Sequence, residues 1–139
     1  MDDKWFRHAL VAMVAGLAWF LAAEFLFRFG VQRISPDIFL QGPSPLLRMW
    51  IMHLSVYFIA VIVASIVCVR LFLVFCREAT LGDLLPGVAL AGTLRVMVSM
   101  DSGFSPYPWW FEGLRLLFVV ALPLAFAMWM LARTQEMPD

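Results

Sequence analysis

The stretch from Leu46 to Phe75 restricts this chain more than any other, because apart from Arg48 and Arg70 near its ends it carries no Asp, Glu, Lys or Arg. Its centre runs through Val61, Ile62, Val63, Ile66, Val67 and Val69, a β-branched series that in water would favour strand. In lipid every backbone polar group must be satisfied within the segment or in a closed barrel, so a single long apolar run reads as helix. The apolar/polar alternation of a barrel strand is missing. A transmembrane helix over residues 48–75 follows.

Three further segments repeat the pattern. Residues 9–29 are apolar except at Glu24 and Arg28, and about 21 residues at about 1.5 Å each cross a hydrocarbon core of roughly 30 Å. The start resembles a signal peptide, but its length, Glu24 and Arg28 favour a retained helix. Residues 84–100 form a short span interrupted by Pro86, Gly87, Gly92 and Thr93 and carrying Arg95. Residues 114–132 are strongly apolar, with Pro123 predicting a kink where the bond to the fourth preceding carbonyl is lost. Gly30, Ser35, Pro36, Gly42, Pro43, Ser44 and Pro45 make a turn-rich connection after the first span. The expected fold is all-α, an integral membrane four-helix bundle forming one transmembrane domain over residues 1–139.

Composition agrees. Of the 139 residues 63% are hydrophobic and 14% charged, against about a quarter charged in soluble domains. Ten basic and ten acidic side chains cancel without any run of like charge, so there is no electrostatic footprint for nucleic acid and none of the polybasic segments that hold peripheral proteins on lipid. Cys68 and Cys76 lie eight residues apart on one expected helix, about 12 Å along its axis, too far to bridge. No CxxC or Cys/His cluster supports a redox dithiol, attached haem or structural zinc.

Orientation rests on basic residues flanking the spans. With both termini cytoplasmic, Lys4, Arg7, Arg70, Arg77 and Arg133 fall inside and Arg28, Arg33, Arg48 and Arg115 outside. The third connection, residues 101–113, has no Lys or Arg and carries aromatic residues suited to an external interface. The expected location is a bacterial inner membrane.

Counting inward from the outer ends, Glu24 lies about five residues deep in span one, His53 about five in span two and Arg95 about six in span three, all roughly 8 to 9 Å below the surface. Charge within a membrane is costly and turns toward a partner in the bundle interior, which makes Glu24 with Arg95 the natural ion pair and His53 a third member. A blander arrangement pairs Glu24 with Arg28 four residues on and lets Arg95 snorkel toward Asp101. His8 and His53 belong to opposite ends of their helices, so one protomer cannot bring both to one haem iron; a single ligand at His53 would remain for haem, with quinone a further redox option.

Small residues recur at four-residue spacing as Ala12 and Gly16, Ala18 and Ala22, Ala60 and Ala64, Ala121 and Ala125, a device for close helix approach in lipid. The segment of residues 102–111 is dense in aromatics; Tyr107, Trp109, Trp110 and Phe111 read as an interfacial belt or as a docking surface. No metal, nucleotide or hydrolytic motif occurs, so catalysis by the chain alone is not expected. Three functions fit: a non-catalytic accessory or assembly subunit of a larger membrane complex; a small oligomeric transporter, channel or holin-like pore using Glu24, Arg95 and His53; and a redox-complex subunit contacting haem or quinone. The first is preferred, because the others need a site the sequence only hints at.

Overall fold

The structure, a computed structural model, describes residues 3–35, 37–101 and 107–135. The regular structure among them is helical: α1 (Asp3–Gln32), a short α2 (Asp37–Leu40), α3 (Pro45–Phe75), α4 (Leu81–Asp101) and α5 (Trp109–Gln135). The four longer helices are each long and apolar enough to cross a membrane.

α3, α4 and α5 each start ahead of the apolar run of their segment for a local reason. α3 starts at Pro45, whose fixed φ and missing N–H suit a first helical position, after Gly42 and Ser44 have turned the chain at positive φ (105° and 57°). It ends where the Cys76 N–H bonds back to the Phe72 carbonyl at 2.8 Å. α4 begins three residues before its expected span because the Asp83 carboxylate accepts hydrogen bonds from both the backbone N–H (2.7 Å) and the hydroxyl (3.0 Å) of Thr80. Those bonds satisfy donors that a helix start leaves open. α4 therefore has 21 residues, about 31 Å at ~1.5 Å per residue, and no longer sits at the lower limit for a span. α5 starts at Trp109, five residues early, with the Pro108 carbonyl accepting from the Phe111 and Glu112 N–H groups. That early start puts Glu112 and Arg115 on helix instead of loop. Both α4 and α5 continue through their internal prolines, Pro86 and Pro123.

α1 packs along α3 and α4, and α5 packs along the same two helices, so α1 faces α5 and α3 faces α4 across the diagonals. Successive long helices alternate in direction. One end of the bundle, here the terminal end, gathers the starts of α1 and α4, where His8 meets Asp83, and the end of α3, beyond which Glu78 meets Lys4. The opposite, loop end holds the ends of α1 and α4 and the starts of α3 and α5.

The α1–α4 crossing is backbone against backbone. A Cβ on Gly16 would fall 2.7 Å from the Gly87 Cα, and one on Gly87 would overlap the Ala12 carbonyl. The Ala12 and Gly16 pair thus serves close approach as its spacing suggests, with Gly87 as the opposing partner. Ala60 and Ala64 are buried in the core, whereas Ala18, Ala121 and Ala125 lie on the outside. Midway along α1 the Trp19 indole N–H donates to the Ser65 hydroxyl at 3.0 Å, both buried, tying α1 to α3. Two apolar clusters fill the rest, one around Phe27, Tyr57 and Val61 toward the loop end and one around Phe72, Leu84 and Val88 toward the terminal end. Cys68 and Cys76 are free thiols.

Candidate functional site

Four charged side chains from three helices close into a ring inside the loop-end half of the bundle. Glu24 of α1 accepts from Arg95 of α4 at 3.0 Å and from Arg115 of α5 at 3.1 and 3.2 Å. Glu112 of α5 pairs with the second terminal nitrogen of Arg95 and, at 3.5 Å, with Arg115 one turn along its own helix. Each carboxylate thus bridges both guanidinium groups, and the ring sums to zero charge. Arg95 and Arg115 are only 3% and 4% exposed, so the pairing is what permits their burial.

Neighbours fix the ring in place. Ser99, one turn from Arg95 on α4, donates to Glu112 at 3.1 Å. The Arg115 guanidinium lies over the rings of Tyr57 (4.3 Å to the centroid) and Phe27 (4.6 Å), a cation–π arrangement that stabilises a desolvated cation. Phe27 and Tyr57 meet edge to face at 5.3 Å. With Tyr57 supplied by α3, all four long helices meet at this level.

The expected Glu24–Arg95 contact is therefore present, but His53 lies outside the ring. Its Nδ1 shares a 2.8 Å hydrogen bond with the Tyr107 hydroxyl, and its ring packs edge-on to Phe27. Burial pushes the Tyr107 phenol above its ordinary range. Arg28 is exposed and takes part in none of the ion pairs among the described residues, so the alternative of a Glu24–Arg28 pair does not form. Arg95 turns inward to the carboxylates instead of snorkelling to Asp101. Glu112 and Arg115 escaped the sequence reading, having been assigned to a loop and to a span end; their three-residue spacing just after Pro108 was the available signal.

The four aromatic residues of the expected belt or docking surface divide. Phe111 is fully buried, and Tyr107 stacks on it at 4.2 Å between ring centroids. Trp110 is half-buried against Trp50, whereas Trp109 is 87% exposed. At the terminal end a separate pair forms, His8 Nδ1 lying 3.7 Å from Asp83. The two histidines are thus held at opposite ends of the bundle by different partners. No group of three or more potential metal-ligating side chains occurs among the described residues. A small, partly open apolar cavity of about 30 Å³ lies between Gly16, Trp19, Gly87 and Pro123, where the small residues of α1 and α4 face the proline of α5.

Chemically the ring is a fastener. Its charges compensate each other, its hydrogen bonds cross between helices, and moving α1, α4 or α5 would separate an ion pair in an apolar surrounding. Comparison with protein-family models, with curated protein sequences and with solved structures returns no match for this chain.

Proposed function

We propose that this chain is a multi-pass membrane protein acting as a non-catalytic accessory or assembly subunit of a larger membrane complex. The observation that carries this reading is the closed ring of Glu24, Arg95, Glu112 and Arg115. A transport pathway needs charge that a passing ion or substrate can engage and release; here the intramembrane charges engage each other, which suits a rigid building block. Partner contact then falls to the outer surface. Met97 (61% exposed), Met100 (78%) and Trp109 (87%) project near the loop end, combining adaptable thioethers with the residue type most enriched at interface hot spots.

A bacterial inner membrane with both termini cytoplasmic is the orientation we favour. Burial of Arg115 in the ring removes it from the outer tally. Arg28, Arg33 and Arg48 then stand at the loop end against Lys4, Arg7, Arg70, Arg77 and Arg133 toward the terminal end, a wider bias in the same direction.

The test is extraction from native membranes in mild detergent, followed by native electrophoresis and mass spectrometry of the band. Comigration with larger membrane proteins is expected, and the partners would name the process. Migration as a homogeneous small oligomer, with a liposome flux abolished by Glu24→Gln, would overturn this reading in favour of the transporter or pore.

A further inference from the structure

The fold assembles a cationic cleft that is invisible in the linear sequence. Lys4 and Arg7 at the start of α1 and Arg77 just beyond α3 line one cleft of about 490 Å³, together with buried His8 and with Glu78 as the one carboxylate among the described lining residues. Glu78 is engaged by Lys4, which holds its carboxyl below the ordinary range. Arg7 and Arg77 are exposed and form no ion pair with any described carboxylate; of the other described acids at this end, Asp83 sits against His8 and Thr80, and Asp3, exposed in the first turn of α1, does not line the cleft. The lining thus carries a surplus of positive charge at the end of the spans, where lipid headgroups lie.

The cleft does not stop at the charges. Phe75, 72% exposed, lines it and also lines a second, apolar groove of about 440 Å³ that runs along the α1–α3 seam past Val14, Ala18, Cys68 and Leu71. A cationic pocket continuous with an apolar trough between two helices matches the two halves of one amphiphile: an anionic head and an acyl chain. A free inorganic anion would use only the first half. We propose that Arg7 and Arg77 hold the phosphate of an anionic phospholipid whose acyl chain lies in the α1–α3 groove.

The experiment is native mass spectrometry of the purified full chain in neutral detergent, titrated separately with phosphatidylglycerol, phosphatidylcholine and inorganic phosphate. Retention of phosphatidylglycerol over phosphatidylcholine is expected. The Arg7→Gln/Arg77→Gln variant should bind phosphatidylglycerol at least tenfold more weakly, from the attraction that each basic side chain near a membrane surface exerts on anionic lipid. The same two-charge change at the loop end, Arg28→Gln/Arg33→Gln, should leave binding unchanged. Ala18→Trp, which fills the groove from an exposed position, should weaken lipid binding without touching the cations. Equal retention of the two lipids, or a double variant that binds as well as the parent, would overturn the proposal. So would inorganic phosphate competing for the cleft as effectively as the lipid, since the site would then be one for a free anion.

Discussion

Replacing Glu24 by Gln keeps the side chain's size and one carbonyl acceptor but removes the charge shared by Arg95 and Arg115. At 3.0 Å and an effective dielectric of about 20, one such contact is worth roughly 5 kcal/mol in Coulomb energy. Two contacts weaken, but Glu112 still faces both guanidinium groups, and the cost of desolvating the Glu24 carboxylate disappears. The net expectation is about 3 to 5 kcal/mol of destabilisation, the usual result of leaving a buried charge uncompensated. The decisive feature is the ordering of variants. Glu24→Gln/Arg95→Gln leaves Glu112 with Arg115, a balanced pair, and should recover a substantial part of the loss. Glu24→Gln/Glu112→Gln strands two cations and should be the least stable of the three. Reversible unfolding in mixed micelles with increasing sodium dodecyl sulfate reads these differences. A loss below about 1 kcal/mol for Glu24→Gln, a value typical of exposed pairs, or a balanced variant no better than the unbalanced one, would refute the argument that charge compensation holds the ring.

Other consequences are as direct. Gly87→Leu should prevent α1 and α4 from meeting at Ala12 and Gly16, costing at least the ~1 to 3 kcal/mol of an overpacked core in the same unfolding assay; parental stability would deny the close crossing. Tyr107→Phe removes one hydrogen bond to His53 and should cost about 0.5 to 1.5 kcal/mol, with a change in the His53 side-chain nitrogen signals by NMR. The Trp109→Ala/Met100→Ala variant should fold normally yet dissociate from its complex on native electrophoresis, because both side chains point outward; unchanged comigration would move the partner surface elsewhere. The Lys4–Glu78 pair lowers the Glu78 carboxyl from its ordinary value of 4.5, so its contribution is present above that pH and is lost as pH falls through the lowered value. The difference in stability between the parent and Glu78→Gln should therefore be small at pH 7, since the pair is exposed, and absent in strong acid; a difference that grows toward acid would contradict the pairing.

How far the sequence discloses this molecule depends on the kind of information. The number of helices long enough to span and their approximate extents follow from apolar runs, because lipid leaves so few backbone alternatives; the four-residue α2 does not. Counting depth also suffices for Glu24 and Arg95, whose helices run parallel and in contact. The same count misplaces His53, because equal depth on separate helices does not bring side chains together; rotation about each helix axis decides, and His53 turns to Tyr107. Glu112 and Arg115 are lost for a different reason. Hydropathy finds where lipid-compatible residues begin, at Leu114, whereas hydrogen bonding to Pro108 starts the helix at Trp109, and the charged first turns then look like loop. Placing α3 diagonal to α4 depends on packing at Gly16 and Gly87 and is not written in any one segment.

The most direct test of the central claim is solid-state NMR on the full chain in lipid bilayers, with ¹⁵N-labelled arginine and ¹³C-labelled glutamate, measuring contacts between guanidinium nitrogens and side-chain carboxyl carbons. The account predicts ionised carboxylates at Glu24 and Glu112, each in contact with both Arg95 and Arg115. A protonated Glu24, or an Arg95 coupled to neither carboxylate, would contradict it, opening the ring and returning these residues to the role of pathway groups.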